Sequence, residues 1–412
     1  MLQLRCHGSV SAWLLLRLFG HRNRGLSVGR FGLLRLEDLP EPLLPAPDWV
    51  RVRPRVAGIC GTDLGVLQAR GSAYFSGVTS TPFTMGHEVT GEVTEVGPAA
   101  AGVSVGERVV IRPALGCTAR GIAPACKSCA DGQIALCLNV ARGSLAPGLQ
   151  TGFCRDTGGG WSEGLVAHPS QLYRVPEGMD DLTAVLTEPL VCAVHAVSRA
   201  GPRDDETVLV IGCGTMGLLT VVALRANGFR GRLLVAARHP YQGEHARSLG
   251  ADEVLPAART AEDRLRGWAK ALGATLHPAR LGGPLVLGGA ECVIDCVASS
   301  QSLDAAARLT AARGRLVVVG LPGVPRGVDW TPMWSKEVAV RGSYCYGVSE
   351  VAGRPVDAFA RALQVLEGGS GQKLRALVGP EFPLTDYKRA LLTAASPGKT
   401  STIKVVFRTP PN

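Results

Sequence analysis

Two rhythms of apolar and polar positions divide this chain. Up to about residue 187, short alternating stretches at 50–56, 88–96 and 108–112 are broken repeatedly by Gly and Pro. Period-two alternation predicts strands with one buried face, and the close spacing of these strands predicts an all-β or barrel-like unit. Residues 1–8 also alternate, and 34–38 continue that pattern. The small, polar stretch 71–81 and the Gly-rich stretch 143–160 read as loops, the second leading into a strand at 165–168. From about 188 the rhythm changes. Strands are expected at 207–211, 232–236, 253–255, 292–295, 315–319 and 338–341, with helices at 216–227, 242–249, 261–272 and 302–311. Strands alternating with helices build a parallel sheet covered on both faces. A Gly-rich loop is expected at 282–289, mixed structure after 345, and a last strand at 402–407.

The first strand of this second region runs straight into a turn, Val208-Leu-Val-Ile211-Gly212-Cys-Gly214-Thr215-Met216-Gly217. In such a turn the first Gly permits the bend and the second lets the backbone approach a pyrophosphate. The third lets the helix pack on the strand, and the helix N-terminus faces the phosphates. With a strand before it, a helix after it and five more strands to follow, the motif predicts a dinucleotide site. An acidic side chain at the end of the second strand accepts a hydrogen bond from the adenosine ribose of NAD. Here the sequence reads Leu234-Val-Ala236-Ala237-Arg238, which puts Ala237 at the acidic position. Arg238 follows and can pair with a 2′-phosphate, so NADP is expected over NAD.

Composition narrows the class. A chain of 412 residues accommodates two domains, and 46% hydrophobic with 19% charged residues reads as soluble and globular. The net charge of +10 raises nucleic acid as a partner, but arginine is scattered and there is no Lys/Arg block. No nucleic-acid partner is therefore expected. Before Glu37 there are six arginines and no acidic residue, as in a transit peptide. Cleavage would remove the strand at the start of the chain, so a cytoplasmic protein is expected. The apolar run 10–19 is too short to span a membrane, and no membrane partner is expected.

Twelve cysteines in a chain of this kind point to metal rather than disulfides. Four fall together as Cys117-x8-Cys126-x2-Cys129-x7-Cys137, the makings of a closed, structural zinc site. A second donor set is spread along the chain. Gly58-Ile-Cys60-Gly-Thr62-Asp63, Gly86-His87-Glu88 and Glu188-Pro189 supply a thiolate, an imidazole and carboxylates. That is the ligand set of a catalytic zinc, which keeps one position open for substrate. Cys60, His87, Glu88 and Glu188 are thus candidate ligands. His195, one to two turns after Glu188, is expected to pack within its helix. A Lewis-acid metal and a hydride carrier together suggest alcohol–carbonyl redox chemistry.

In their order along the chain these motifs resemble the zinc-containing medium-chain dehydrogenase/reductase family, over nearly the whole length. Gly58–Asp63, Gly86–Glu88 with Gly91, Gly106-Glu-Arg-Val109, the cysteine lobe, Glu188-Pro189-Leu190 and the Gly212–Gly217 turn carry the resemblance. The Glu-Pro-Leu element is similar to the polyol, threonine and glucose dehydrogenase branch. The resemblance implies an α/β protein with a GroES-like β-barrel catalytic domain at 1–187 and a zinc lobe at about 113–140. A Rossmann domain follows at 188–344, and 345–412 returns to the first domain. Zinc and nicotinamide would share the cleft between the domains. It implies zinc on Cys60 and His87, with Glu88 or Glu188 completing the shell directly or through water. Thr62 would take the substrate proton. Two zinc ions per chain, a small alcohol or carbonyl substrate and a homodimer or homotetramer complete the picture.

The sequence also departs from the family. Residues 9–30 look like an insertion between the first two strands, and the cysteine lobe carries about six extra residues after Cys117. Gly65 stands where many alcohol dehydrogenases continue the proton relay with histidine, so the proton must leave through water or the cofactor ribose. Two other readings remain at this stage. One is a zinc-free NADPH reductase of activated double bonds, and the other is a non-enzymatic NADPH sensor.

Overall fold

The computed structural model describes residues 1–20, 25–255, 257–351 and 353–409. The chain forms two compact units. The first comprises Met1–Glu188, Tyr346–Val348 and Phe359 to the C-terminus, and the second Pro189–Cys345 and Ser349–Ala358.

The alternating segments of the first unit do become strands. Val50–Gly58, Val89–Val96, Arg108–Ile111, Leu165–Ala167 and Leu172–Arg174 join Val378–Phe382 and Lys404–Arg408 in one seven-stranded sheet. Val50–Gly58 is the hub. It pairs antiparallel with Val89–Val96, Leu165–Ala167 and Lys404–Arg408. Its inward residues Val50 and Val52 pack with Val89, Val93, Val109 and Leu165. The last pairing brings the C-terminal strand beside Gly58, some 345 positions away in sequence, and so delivers Lys404 to the site described below. Leu2–Cys6 pairs antiparallel with Leu34–Asp38, residue for residue from Leu2 opposite Asp38 to Cys6 opposite Leu34.

This unit is not all β. The stretch 9–30 contains a helix, Val10–Phe19, and Gly61–Leu67 and Tyr387–Ala394 are helical too. Helices this short span too few turns for a 3.6-residue repeat to stand out from a strand's alternation. The expected loop at 71–81 holds a 3-10 turn, Ala73–Val78.

In the second unit six strands form one parallel sheet. Its order across the sheet is Glu253–Leu255, Arg232–Ala236, Thr207–Ile211, Ala290–Asp295, Thr310–Val318 and Ala339–Gly342. Counted along the chain this is 3-2-1-4-5-6, the doubly wound dinucleotide fold. Its ligand site lies where the order reverses, at the carboxyl end of the first strand. Leu209, Leu234, Val293 and Leu316 form the core of the sheet. The Gly-rich loop expected at 282–289 is a correction. Leu285–Leu287 there pairs antiparallel with Thr275–His277, and the glycines flank a hairpin strand. The fifth strand also begins at Thr310, five residues earlier than the apolar run predicts, because Thr310 pairs with Ala290 before a register shift.

Asp181–Ala200 is long and apolar enough, by length and composition alone, to cross a membrane, but 83% of its most apolar window is buried within the fold. That is the surrounding of a core helix. His195, on this stretch, pairs its Nδ1 with Ser349 Oγ at 3.1 Å. Burial, with Arg199 adding, pushes its pKa down to about 4. It is a neutral, packed histidine near pH 7.

Candidate metal centre and dinucleotide site

The first site grows from one tight turn. Val50–Gly58 ends and Cys60 caps the helix Gly61–Leu67, whose third residue, Asp63, closes a capping box. Cys60 N donates to Asp63 Oδ2 at 2.9 Å, and Thr62 N donates to Cys60 Sγ at 3.5 Å. The Thr62 hydroxyl lies 3.6 Å from the same sulfur. His87 and Glu88 arrive from the segment entering the next strand. Cys60, His87 and Glu88 bring one ligand atom each within 4.8 Å of one another. Thiolate, imidazole and carboxylate converging in this way fit a zinc ion.

Asp63 and Lys404 organise this cluster, and sequence reasoning gave neither of them a role. Asp63 is fully buried, and its second oxygen lies 3.3 Å from His87 Nδ1. One carboxylate therefore holds the Cys60 turn through a hydrogen bond and lies against the His87 ring. Burial works against a charged His87, but the Asp63 carboxylate and the Cys60 sulfur outweigh it and hold its pKa well above the usual value. The spacing Cys60-x-x-Asp63 was the available signal. Phe153 packs against the His87 ring at 5.6 Å between centroids.

Lys404 is buried and ion-paired with Glu88 Oε2, and its ammonium also donates to Ile59 O at 3.3 Å. Burial lowers its pKa, but Glu88, Cys60 and Glu188 together raise it above the ordinary lysine value. Its signal in the sequence was a single cation at the start of the apolar run Val405-Val-Phe407. Gly58 is what makes room for the pair. A Cβ there would sit 1.8 Å from Glu88 Oε2 and 3.0 Å from Lys404 Cε. Glu188 is also buried and adds to the field at Lys404, but it is not among the three residues whose ligand atoms converge.

The second cluster is the cysteine lobe. Cys117, Cys126, Cys129 and Cys137 place their sulfurs within 4.8 Å of one another. Cys117 and Cys137 are 3.7 Å apart, and Cys126 and Cys137 4.0 Å. A tetrahedron with zinc–sulfur bonds of about 2.3 Å has edges of about 3.8 Å. Backbone N–H groups of Cys126, Leu138 and Asn139 point at these sulfurs at 3.3–3.4 Å, as thiolates require. Burial raises the Cys126 pKa, but N–H donors from Leu138 and Cys129 and the neighbouring thiols outweigh it, bringing it to about 6. The extra residues after Cys117 have a purpose in the fold. Among them Arg120 is fully buried and donates to the carbonyls of Leu115, Arg142 and Leu145 at 3.0–3.2 Å, tying the lobe to the loop that follows.

In the second unit the Gly-rich turn has the three properties its motif requires. Gly212 has φ +96°, a backbone that side chains rarely adopt. A Cβ on Gly214 would meet nothing within 4 Å, so the backbone is open to a ligand. One on Gly217 would strike Gly212 O at 1.8 Å, so only Gly lets the helix lie this close. The helix Thr215–Ala226, which carries Met216 in its first turn, has no side-chain cap at its N-terminus. Unfilled N–H groups and the helix dipole at such an end favour a phosphate. Ala237 is buried just past the second strand, with its N–H on Leu255 O at 3.1 Å. Arg238 beside it is exposed and makes no ion pair among the described residues.

A metal-ligand cluster on a β unit and a phosphate-binding turn on a doubly wound sheet define a dinucleotide-dependent oxidoreductase of the alcohol dehydrogenase class. Comparison with known proteins gives the same class from independent information. Residues 46–177 match the alcohol dehydrogenase GroES-like domain, and 215–362 match the zinc-binding dehydrogenase domain. The chain belongs to the zinc-containing medium-chain dehydrogenase/reductase family, on its polyol dehydrogenase side. It is 26% identical to L-idonate 5-dehydrogenase of Vitis vinifera over 94% of this chain and 95% of that one. It is 29% identical to sorbitol dehydrogenase of Arabidopsis thaliana over 74% and 76%. The fold superposes on 2R,3R-butanediol dehydrogenase from Bacillus subtilis with a TM-score of 0.68 at 24% identity, covering 92% of this chain and 96% of that one.

Proposed function

We propose that this enzyme oxidises the hydroxyl of a small alcohol, polyol or sugar, or reduces the matching carbonyl, at the Cys60 cluster. The observation that carries the reading is the convergence of Cys60, His87 and Glu88 within 4.8 Å, with the Thr62 hydroxyl beside the Cys60 sulfur. When bound there, zinc supplies a Lewis acid that lowers the pKa of an alcohol, and a nicotinamide dinucleotide takes the hydride. Cys60 and His87 are the proposed permanent ligands, with Asp63 holding both in place. The Thr62 hydroxyl accepts the substrate proton. Gly65 offers no imidazole behind Thr62 to carry that proton further. Lys404 pairs with Glu88, and Glu88 or Glu188 completes the ligand shell. A zinc-free reductase or a cofactor sensor has no use for this donor set, so the zinc dehydrogenase reading is favoured over both.

Two finer assignments belong to the proposal. The cysteine lobe holds a second, structural zinc. Cys126→Ser is expected to lower zinc from two ions per chain to one, read by elemental analysis, with part of the turnover surviving; retention of both ions contradicts the assignment. NADP is the preferred cofactor. Ala237 leaves no carboxylate to repel a 2′-phosphate, and Arg238 is free to pair with one. Ala237→Asp is expected to shift the NADP-to-NAD ratio of kcat/KM towards NAD by at least about tenfold. An unchanged ratio sinks the cofactor assignment. A homo-oligomer, as the family resemblance implies, completes the proposal.

A further inference from the structure

The helix Val10–Phe19 has two apolar sides, and only one of them is used. Ser9 Oγ caps it by accepting Ala12 N at 3.3 Å. Leu16 is 1% exposed, and Ala12 and Trp13 pack with it against the core cluster of the first unit. On the opposite side Val10 is 71% exposed, Leu14 50% and Leu18 63%, and Phe19 beside them 50%. Positions i, i+4 and i+8 form one stripe along a helix. A helix on the surface of a water-soluble protein normally carries polar residues there.

The segment that carries this stripe has charged residues of one sign, although one of them, Arg5, is already paired with Glu37. Residues 1–36 contain six arginines and neither Asp nor Glu. Arg17, on the helix, gives its Nη1 to Ala69 O at 2.9 Å. Arg30 lies over the ring of Phe31, itself half exposed, at 4.6 Å. Neither arginine pairs with a carboxylate among the described residues. Arg22 and Arg24 lie outside the described residues, and their charge adds to the segment.

We propose that this face docks on an anionic lipid surface. The Val10, Leu14, Leu18 and Phe19 side chains would enter the boundary between headgroups and acyl chains, and the arginines would meet lipid phosphates. A helix that lies in the interface needs no membrane-spanning length, so its ten residues suffice. Charge decides against a second copy of this chain as the occupant. A two-fold contact through this face would set Arg17 and Arg30, which have no carboxylate partner among the described residues, against the same arginines of the copy. Nucleic acid fits the charge but gains nothing from a row of exposed Leu and Val.

Vesicle sedimentation of the full chain tests the proposal. Vesicles of phosphatidylcholine with about a third phosphatidylglycerol are expected to bind the protein at least about tenfold better than phosphatidylcholine alone, with the difference shrinking at high salt. Leu14→Glu/Leu18→Glu and Arg17→Glu/Arg30→Glu are each expected to reduce that binding at least about tenfold. Leu14 and Leu18 are at least half exposed, so the leucine variant should keep its turnover in solution and its thermal midpoint, while the arginine variant, which gives up the bond to Ala69 O, should keep its turnover. The proposal is overturned if the wild-type chain does not sediment with anionic vesicles, or if Leu14→Glu/Leu18→Glu binds as well as wild type. It is equally overturned if that variant changes the oligomeric mass in light scattering, because the face is then covered by a second copy.

Discussion

Cys60→Ala is expected to lower kcat at least about a thousandfold while cofactor affinity stays within about twofold. The sulfur is one of three ligand atoms within 4.8 Å, and its N–H shares Asp63 with His87. Removing it leaves imidazole and carboxylate alone to hold a metal, and takes away the atom beside which the Thr62 hydroxyl is placed. The dinucleotide turn at Gly212–Gly217 belongs to the second unit and is untouched. Cofactor binding can be read by fluorescence of the reduced nicotinamide, and turnover by its absorbance. A variant that turns over at the wild-type rate removes Cys60 from the chemistry. A variant that loses cofactor affinity as well has lost its fold, and the turnover result then carries no weight.

The second large effect is on stability. Lys404 and Glu88 are 2% and 1% exposed, and each is the other's counter-charge. Lys404→Met strands a carboxylate in the core, which costs about 3–5 kcal/mol when one partner of a buried pair is removed, or roughly 10 °C in the melting of the first unit. Adding Glu88→Gln to Lys404→Met removes the stranded charge and is expected to recover most of that loss. Thermal melts of the single and double variants check this. Equal loss in both would mean that the pair is not what Lys404 contributes.

How much of this was written in the chain depends on how locally it was encoded. The parallel sheet was legible because each strand, such as Thr207–Ile211, is a short apolar run bounded by Gly and polar residues, and buried strands need little else. The Gly212–Gly217 turn was legible because its positive φ at Gly212 and the lack of room for a Cβ at Gly217 leave a glycine pattern in the sequence. The two donor clusters were legible as motifs as well, and the fold brings Cys60 and His87, and separately the four lobe cysteines, within 4.8 Å of one another. Three things were not legible. The helix Val10–Phe19 is apolar on both faces, so periodicity had no contrast to report. The strand Leu285–Leu287 is three residues long in a Gly-rich frame. Lys404 reaches Glu88 only through the pairing of the C-terminal strand with Val50–Gly58, a long-range contact that no local pattern carries. The fold groups Glu88, not Glu188, with Cys60 and His87.

The central claim is zinc-dependent hydride transfer with an alcohol. Its most direct test is the formation of reduced nicotinamide by the purified, zinc-loaded protein, with NADP and NAD side by side. The panel should span polyols, aldoses, 3-hydroxy amino acids and simple primary alcohols. Turnover with one of these classes, faster with NADP and abolished by a chelator that strips the metal, is the predicted result. Silence across the panel, with zinc present and NADPH binding confirmed, would contradict the account.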